Sequence, residues 1–225
     1  MERQILELNH PFTATQGVRA YCMQVRALRL DEVPLANADE VATFATQKRF
    51  DEHMSGRWLL GEALKKWGIG DLNVLQVLRN EDRAPRVAYL QGMWLNTPLP
   101  SISISHSSGH VFVALAQSNL EVGIDAEPAT RSLAENAFDM MSTGEELEQL
   151  RQKPGASMFL WTAKEAVQKA MRKGMHLNPR KIKVSIEESE QNISIENSKI
   201  QLVSWVEKGF QFGLATRMKS EHLIT

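Results

Sequence analysis

Between residues 39 and 67 the apolar positions Val41, Phe44, Ala45, Trp58, Leu59, Ala63 and Leu64 recur at helical spacing, and Gly68 closes the stretch. The pattern predicts two helices with a break near 50–52. "LNVLQVL" at 72–78 reads as a strand, and the Pro and Gly punctuation of "EDRAPRVAYLQGMWLNTPLP" predicts irregular structure after it. Next, Ile102 and Ile104 alternate with Ser101, Ser103 and Ser105, and turns are marked by "HSSGH" and by Ser118 with Asn119. This is the pattern of a three-stranded antiparallel meander that Pro128 ends, because proline has no amide proton for a ladder. A helix-rich stretch over 131–150 leads to "QKPGAS" and a helix over 157–173 that Gly174 closes. The tail predicts the strands "KIKVSIEE", "ISIEN", "KIQLVSWVE" and "FQFGLAT", the last two joined by a turn at Lys208 and Gly209.

Each half of the chain therefore runs helix first and antiparallel strands after. The expected class is α+β, two similar halves of a duplicated unit, 1–117 and 118–225, each with antiparallel strands packed on a helix. With 225 residues, 43% of them hydrophobic, the chain can bury a real core. A formal charge of -1 gives no global basic field, so non-specific nucleic-acid binding is not expected and any anion site must be local. The single cysteine, Cys22, excludes an internal disulfide and a cysteine zinc cluster and suits a reducing compartment. No signal-peptide pattern opens the chain, and its longest apolar run, "VFVALA", is far shorter than a membrane span. The expectation is a cytoplasmic protein with no membrane partner.

Candidate chemistry begins with Asp125 and Glu127. Side chains two apart on a strand share a face, so these carboxylates project together while Ile124 and Ala126 point the other way. Read alone they are a solvated strand edge; read with others they are half of a hard-cation site. On the later helix, Glu165 and Lys169 are four apart, which by itself is a surface ion pair. The apolar stripe of Phe159, Ala163, Ala166, Val167 and Ala170 marks the core face, and Trp161 lies one turn before Glu165. Glu165 would complete a three-carboxylate set with Asp125 and Glu127, flanked by Lys164 and Lys169, which suit phosphate oxygens. His106 and His110 have the spacing of a helical zinc pair but sit in a predicted turn, where Ser105, His106, Ser107 and Ser108 offer a phosphate cradle instead. Lys48, Arg49 and Arg57 form a basic segment whose ordinary explanation is a charged helix face. No Walker loop, dinucleotide fingerprint or nucleophile elbow occurs.

"SISHS" at 103–107, "EVGIDAEP" at 121–128 and "WTAKEAVQKA" at 161–170, in this order, resemble the 4′-phosphopantetheinyl transferases of the Sfp type. That family's pattern is N/S-x-S-H-S, then G-x-D-x-E, then W-x-x-K-E-A-x-x-K, and the chain looks like its W/KEA subgroup and the AcpT-like holo-[acyl carrier protein] synthases. The resemblance implies two similar α+β halves with the active site in the cleft between them. It also implies transfer of the phosphopantetheine arm of coenzyme A to a serine of an apo acyl or peptidyl carrier protein, by a monomer. By resemblance, Asp125, Glu127 and Glu165 would hold magnesium against the coenzyme A pyrophosphate. Glu165 would take the serine proton directly or through a metal-bound water, Lys169 would serve the leaving bisphosphate, and Lys164 would touch phosphate. Ser105 and His106 match residues at the nucleotide end of coenzyme A, and Lys48, Arg49 and Arg57 the segment that grips its 3′-phosphate. Arg172, Lys173 and Met175 are candidates for receiving the carrier.

Two departures stand out. The family's G-K-P is Arg83, Ala84, Pro85 here, so either Arg83 or Arg86 replaces its lysine or that contact with coenzyme A is lost, and Ala126 stands where a bulkier aliphatic is usual. The rival readings are a non-catalytic carrier-binding module and a magnesium-dependent nuclease, the latter opposed by Ala129 where the nuclease pattern needs lysine.

Overall fold

A computed structural model describes residues 4–10, 17–95 and 97–219. Strands β1 (Leu6–Glu7), β2 (Val18–Gln24), β5 (Ser101–Ser107) and β6 (His110–Ala116) form one antiparallel sheet in the order β1-β2-β6-β5. Strands β7 (Leu120–Pro128), β8 (Glu190–Ile195), β9 (Ser198–Glu207) and β10 (Phe210–Met218) form a second, in the order β7-β10-β9-β8. A separate hairpin pairs β3 (Leu75–Arg79) with β4 (Pro85–Tyr89). The helices are α1 (Ala38–Val41), α2 (Gln47–Trp67), α3 (Phe138–Met141), α4 (Glu145–Gln152) and α5 (Ser157–Ala170). Mixed helix and antiparallel sheet is therefore the observed class.

Alternate faces of the strands explain the layering. On β2 and β6, Val18, Ala20, Phe112 and Ala114 join Ile124, Ala126, Phe212 and Leu214 of the second sheet in one core. The opposite faces, through Tyr21, Met23, Val113 and Leu115, pack on Leu59, Leu60, Ala63 and Leu64 of α2. On the far side, Ala163, Ala166, Val167 and Ala170 of α5 pack on Ile200, Leu202 and Ala215. The stack is helix, sheet, sheet, helix. No helix among the described residues is long and apolar enough to cross a membrane.

Several local expectations change. No helix break occurs at 50–52: α2 runs unbroken for 21 residues, since nothing there lacks a donor or favours a turn, and it starts where Thr46 accepts from the Arg49 amide and ends at Gly68 with φ 101°. The stretch expected to be irregular contains β4, with Pro85 at its first position, where a missing amide proton is tolerated. The meander stops after two strands. β5 and β6 form the hairpin, turning at Ser108 and Gly109 with φ of 45° and 73°, but β7 leaves to pair with β10. "KIKVSIEE" does not enter a ladder; its alternation is real, with Ile182 and Val184 buried, but it follows a 3₁₀ turn at Pro179–Lys181. Helix α5 ends at Ala170, and Arg172 takes the left-handed conformation (φ 60°) ahead of Gly174.

His10 is 5% exposed, lies 5.9 Å from the Trp205 ring, and is pushed down to about 4 by burial. The unfolded chain takes up a proton near pH 6.5 that the folded His10 refuses until about pH 4, so stability falls as pH drops through this window. One such group contributes a limiting slope of about 1.4 kcal/mol per pH unit. Chemical denaturation between pH 7 and 4 should therefore show a shallower decline for His10→Gln than for the parent chain.

Candidate active site

Strand β7 lies against β5 without a backbone ladder, and serine hydroxyls bridge the gap. Ser103 Oγ accepts from the Ile124 amide at 3.0 Å, Ser105 Oγ donates to Asp125 Oδ1 at 2.7 Å, and Ser107 Oγ donates to Glu127 Oε2 at 2.6 Å. The serine alternation of β5 is thus what aims the carboxylates of β7. On the same face of β7 as the two carboxylates, Gly123, together with Gly213 of β10, which pairs with Asp125, lets α5 lie directly on the backbone. A Cβ at Gly123 would stand 2.0 Å from Ala166 O, and one at Gly213 2.4 Å from Thr162 O.

This close approach brings Lys169 to Asp125. Lys169 Nζ donates to Asp125 Oδ1 at 2.6 Å and to Ile124 O at 3.1 Å, and lies 3.7 Å from Glu165 Oε2. Burial works against the Lys169 charge, but Asp125 and Glu165 outweigh it and hold its pKa above the usual lysine value. Glu165 moves upward, through burial first and then the Asp125 and Glu127 carboxylates, with Lys169 opposing. Glu127 also accepts from Arg131 at 3.0 Å.

Asp125, Glu127 and Glu165 are neighbours, with Lys169 between Asp125 and Glu165. No group of three His, Cys, Asp or Glu side chains among the described residues is drawn together as a metal set. Lys169 and Ser105 take up Asp125 Oδ1, and Ser107 and Arg131 take up Glu127 Oε2. One feature fits a hard cation: Asp125 Oδ2 is buried and has no hydrogen-bond partner among the described residues. Magnesium is commonly held by only one or two carboxylates plus phosphate oxygens, and this donor set matches that demand.

Beside these residues opens a cavity of about 220 Å³, whose basic lining includes Arg49, Arg57, Arg79, Arg83, Lys169 and Arg172. Arg57 is 3% exposed, and burial, then Arg79, pushes it down to about 10. Arg49 Nη1 donates to His106 Nε2 at 2.6 Å, so the other ring nitrogen, 3.4 Å from Glu52 Oε2, carries the proton in the neutral ring. Burial lowers the His106 pKa. His53, on the same wall, is pushed down to about 4 by burial and then by Arg57, so it stays neutral among the arginines.

Of the sequence candidates, Arg49, Arg57, Arg83, His106, Lys169 and Arg172 line this cavity. Lys48 does not; its side chain is 83% exposed and 3.9 Å from Glu52. Ser105 spends its hydroxyl on Asp125 and aims β7 rather than the cavity.

Lys164 corrects the expectation of a phosphate contact. It is 1% exposed and donates to Glu146 Oε2 and Met141 O, each at 2.6 Å, and to Pro179 O at 3.1 Å. Adjacent residues on a helix point about 100° apart, so the neighbour of Glu165 faces inward. Glu146, whose other oxygen accepts from the Val184 amide at 2.9 Å, is the partner no spacing rule identified. Glu146→Ala would strand this ammonium and is expected to cost about 3–5 kcal/mol of stability, read by urea denaturation.

Arg79, Glu40 and Glu52 were also missed, because each acts through a partner remote in sequence. Arg172 turns inward, donating to Pro85 O and Glu121 at 3.3 Å, while Lys173 pairs with Glu196 and Met175 is exposed. Of the two arginines near the G-K-P position, Arg83 lines the cavity.

No curated protein matches the chain. A protein-family model does: residues 121–220, which hold all but the first residue of β7, the whole of α5, and Asp125, Glu127, Glu165 and Lys169, match the ACPS model, the 4′-phosphopantetheinyl transferase superfamily.

Proposed function

We propose that the chain is a phosphopantetheinyl transferase of the holo-[acyl carrier protein] synthase type. It moves the 4′-phosphopantetheine arm of coenzyme A to a serine hydroxyl of an apo carrier protein and releases adenosine 3′,5′-bisphosphate. The observation that carries the reading is the Asp125, Glu165 and Lys169 cluster, which lies inside the matched segment and whose Lys169 reaches the wall of an arginine-rich cavity. In this reading residues 1–117 supply the nucleotide end and 118–225 the reacting end of one monomeric unit acting in the cytoplasm, with the active site in the cleft between the two halves.

Coenzyme A would lie with its adenosine phosphates toward Arg49, Arg57 and His106 and its pyrophosphate toward Lys169. The carrier serine Oγ attacks the phosphorus that bears the pantetheine arm, and the bond from that phosphorus to the bridging oxygen breaks. The serine proton passes to the Glu165 carboxylate, directly or through a water. Lys169 Nζ neutralises the charge that builds on the leaving bisphosphate oxygen. Asp125 Oδ2, with Glu127 and Glu165, would hold magnesium, which when bound supplies neutralising charge at the pyrophosphate.

The test is release of adenosine 3′,5′-bisphosphate, followed by chromatography, when the protein is mixed with coenzyme A, magnesium and an apo carrier protein. Release that requires all three supports the transferase. Release without the carrier would indicate hydrolysis of the pyrophosphate and contradict it.

A further inference from the structure

We propose that Glu40 is a positioning residue for the anion-binding end of the cavity, gathering Arg57 and Arg79 into a paired guanidinium site that reads a terminal phosphate monoester. The inference rests on the coenzyme A reading and deepens it by naming how one phosphate of that ligand is told from its absence.

Glu40 lies on the one-turn helix α1, capped by Asn37, and the neighbouring Val41 anchors that turn in a small core with Leu28, Val33 and Met54. Three basic side chains converge on its carboxylate. Oε1 accepts from Arg79 Nε at 2.7 Å and lies 2.6 Å from Arg79 Nη2. Oε2 lies 3.4 Å from Arg57 Nη2 and 3.8 Å from His53 Nε2.

Both arginines line the cavity, and they differ in what holds them. Arg57 is fixed by burial, and its Nε has no hydrogen-bond partner among the described residues. A desolvated donor on a cavity wall is an unfinished hydrogen bond that an anion would complete. Arg79 is about one-third exposed, and among the described residues its guanidinium's hydrogen-bond partner besides Glu40 is Arg83 O, at 3.3 Å from Nη1. Two guanidiniums this close repel in a partly desolvated site, so the carboxylate between them keeps Arg79 from swinging to solvent.

The charges decide what the pair reads. One carboxylate neutralises one of the two arginines, His53 stays neutral, and the remaining positive charge with two planar donor forks suits a phosphate monoester. A ligand lacking that monoester leaves the pair unused.

The experiment is isothermal titration calorimetry of the full chain and of Glu40→Gln, Glu40→Asp and Arg79→Gln, with coenzyme A and 3′-dephospho-coenzyme A as probes. The parent chain should prefer coenzyme A by at least about tenfold, and the preference should fall to within about threefold in Glu40→Gln and Arg79→Gln, with 3′-dephospho-coenzyme A affinity unchanged. Glu40→Asp, which keeps the charge, should retain part of the preference. If the carboxylate only competes with the ligand, Glu40→Gln binds coenzyme A more tightly; that result, or an unchanged preference, overturns the proposal. Should Glu40→Gln fail to fold, Arg79→Gln decides alone. If the parent chain binds neither probe, the transferase reading falls, and inorganic phosphate becomes the probe: a raised melting temperature lost in both variants upholds the paired site, and any other pattern rejects it.

Discussion

Glu165→Gln is expected to lower the rate of phosphopantetheine transfer by on the order of a thousandfold while leaving the melting temperature close to that of the parent chain. The substitution keeps the side chain's shape and removes its ability to take a proton. Its structural cost is small because Glu165 is about a quarter exposed and its ion-pair partner among the described residues is Lys169 at 3.7 Å, and Lys169 retains the shorter bond to Asp125. Lys169→Ala is the companion. It removes an ammonium from the developing charge on the leaving group, so kcat should fall by more than the affinity for coenzyme A does. It also leaves Asp125 without a countercharge, so its melting temperature should drop where that of Glu165→Gln does not. Glu165→Gln with near-normal turnover would remove the base from the proposed mechanism.

Gly213→Ala and Gly123→Ala are expected to be the most damaging single changes to the fold, each lowering stability by several kcal/mol. Elsewhere a glycine in a strand costs stability, and alanine would be an improvement. Here a Cβ at Gly213 would stand 2.4 Å from Thr162 O and 2.8 Å from Ala163 N, and one at Gly123 2.5 Å from Ala170 N. The obstacle in each case is the α5 backbone, which cannot rotate away as a side chain can. The helix must lift off the sheet, which withdraws Lys169 and Glu165 from Asp125. If either variant folds, transfer should therefore fall with stability, measured by urea denaturation and by rate on the same preparation. A variant of parental stability would mean that α5 is not seated on the sheet in this way.

The sequence showed these features unevenly, and the reasons are physical. The last three strands, the turn at Lys208 and Gly209 and the apolar stripe of α5 were legible because each is a local pattern with one buried face. Strand β2 was not, because "VRAYCMQ" sits between α2 and the second sheet and is buried on both faces, which erases the alternation. The departure of β7 from the expected meander was hidden because Ser103, Ser105 and Ser107 read as a polar face when they are cross-sheet donors and acceptors. At the site, the shared face of Asp125 and Glu127 and the four-residue step from Glu165 to Lys169 follow from strand and helix periods. The inward turn of Lys164 follows from the same helix period, since it shares a face with Leu160 and Gln168, both buried. The pairings of Lys164 with Glu146 and of Arg79 with Glu40 depend on tertiary contacts, and no sequence interval announces them.

Intact-mass spectrometry of a panel of apo carrier proteins, incubated with this protein, coenzyme A and magnesium, tests the transferase assignment most directly. The account predicts a mass gain of one phosphopantetheine on at least one carrier, lost with EDTA and lost with Glu165→Gln. No gain on any carrier by a folded protein that binds coenzyme A would contradict it and leave a carrier-binding module without transfer chemistry.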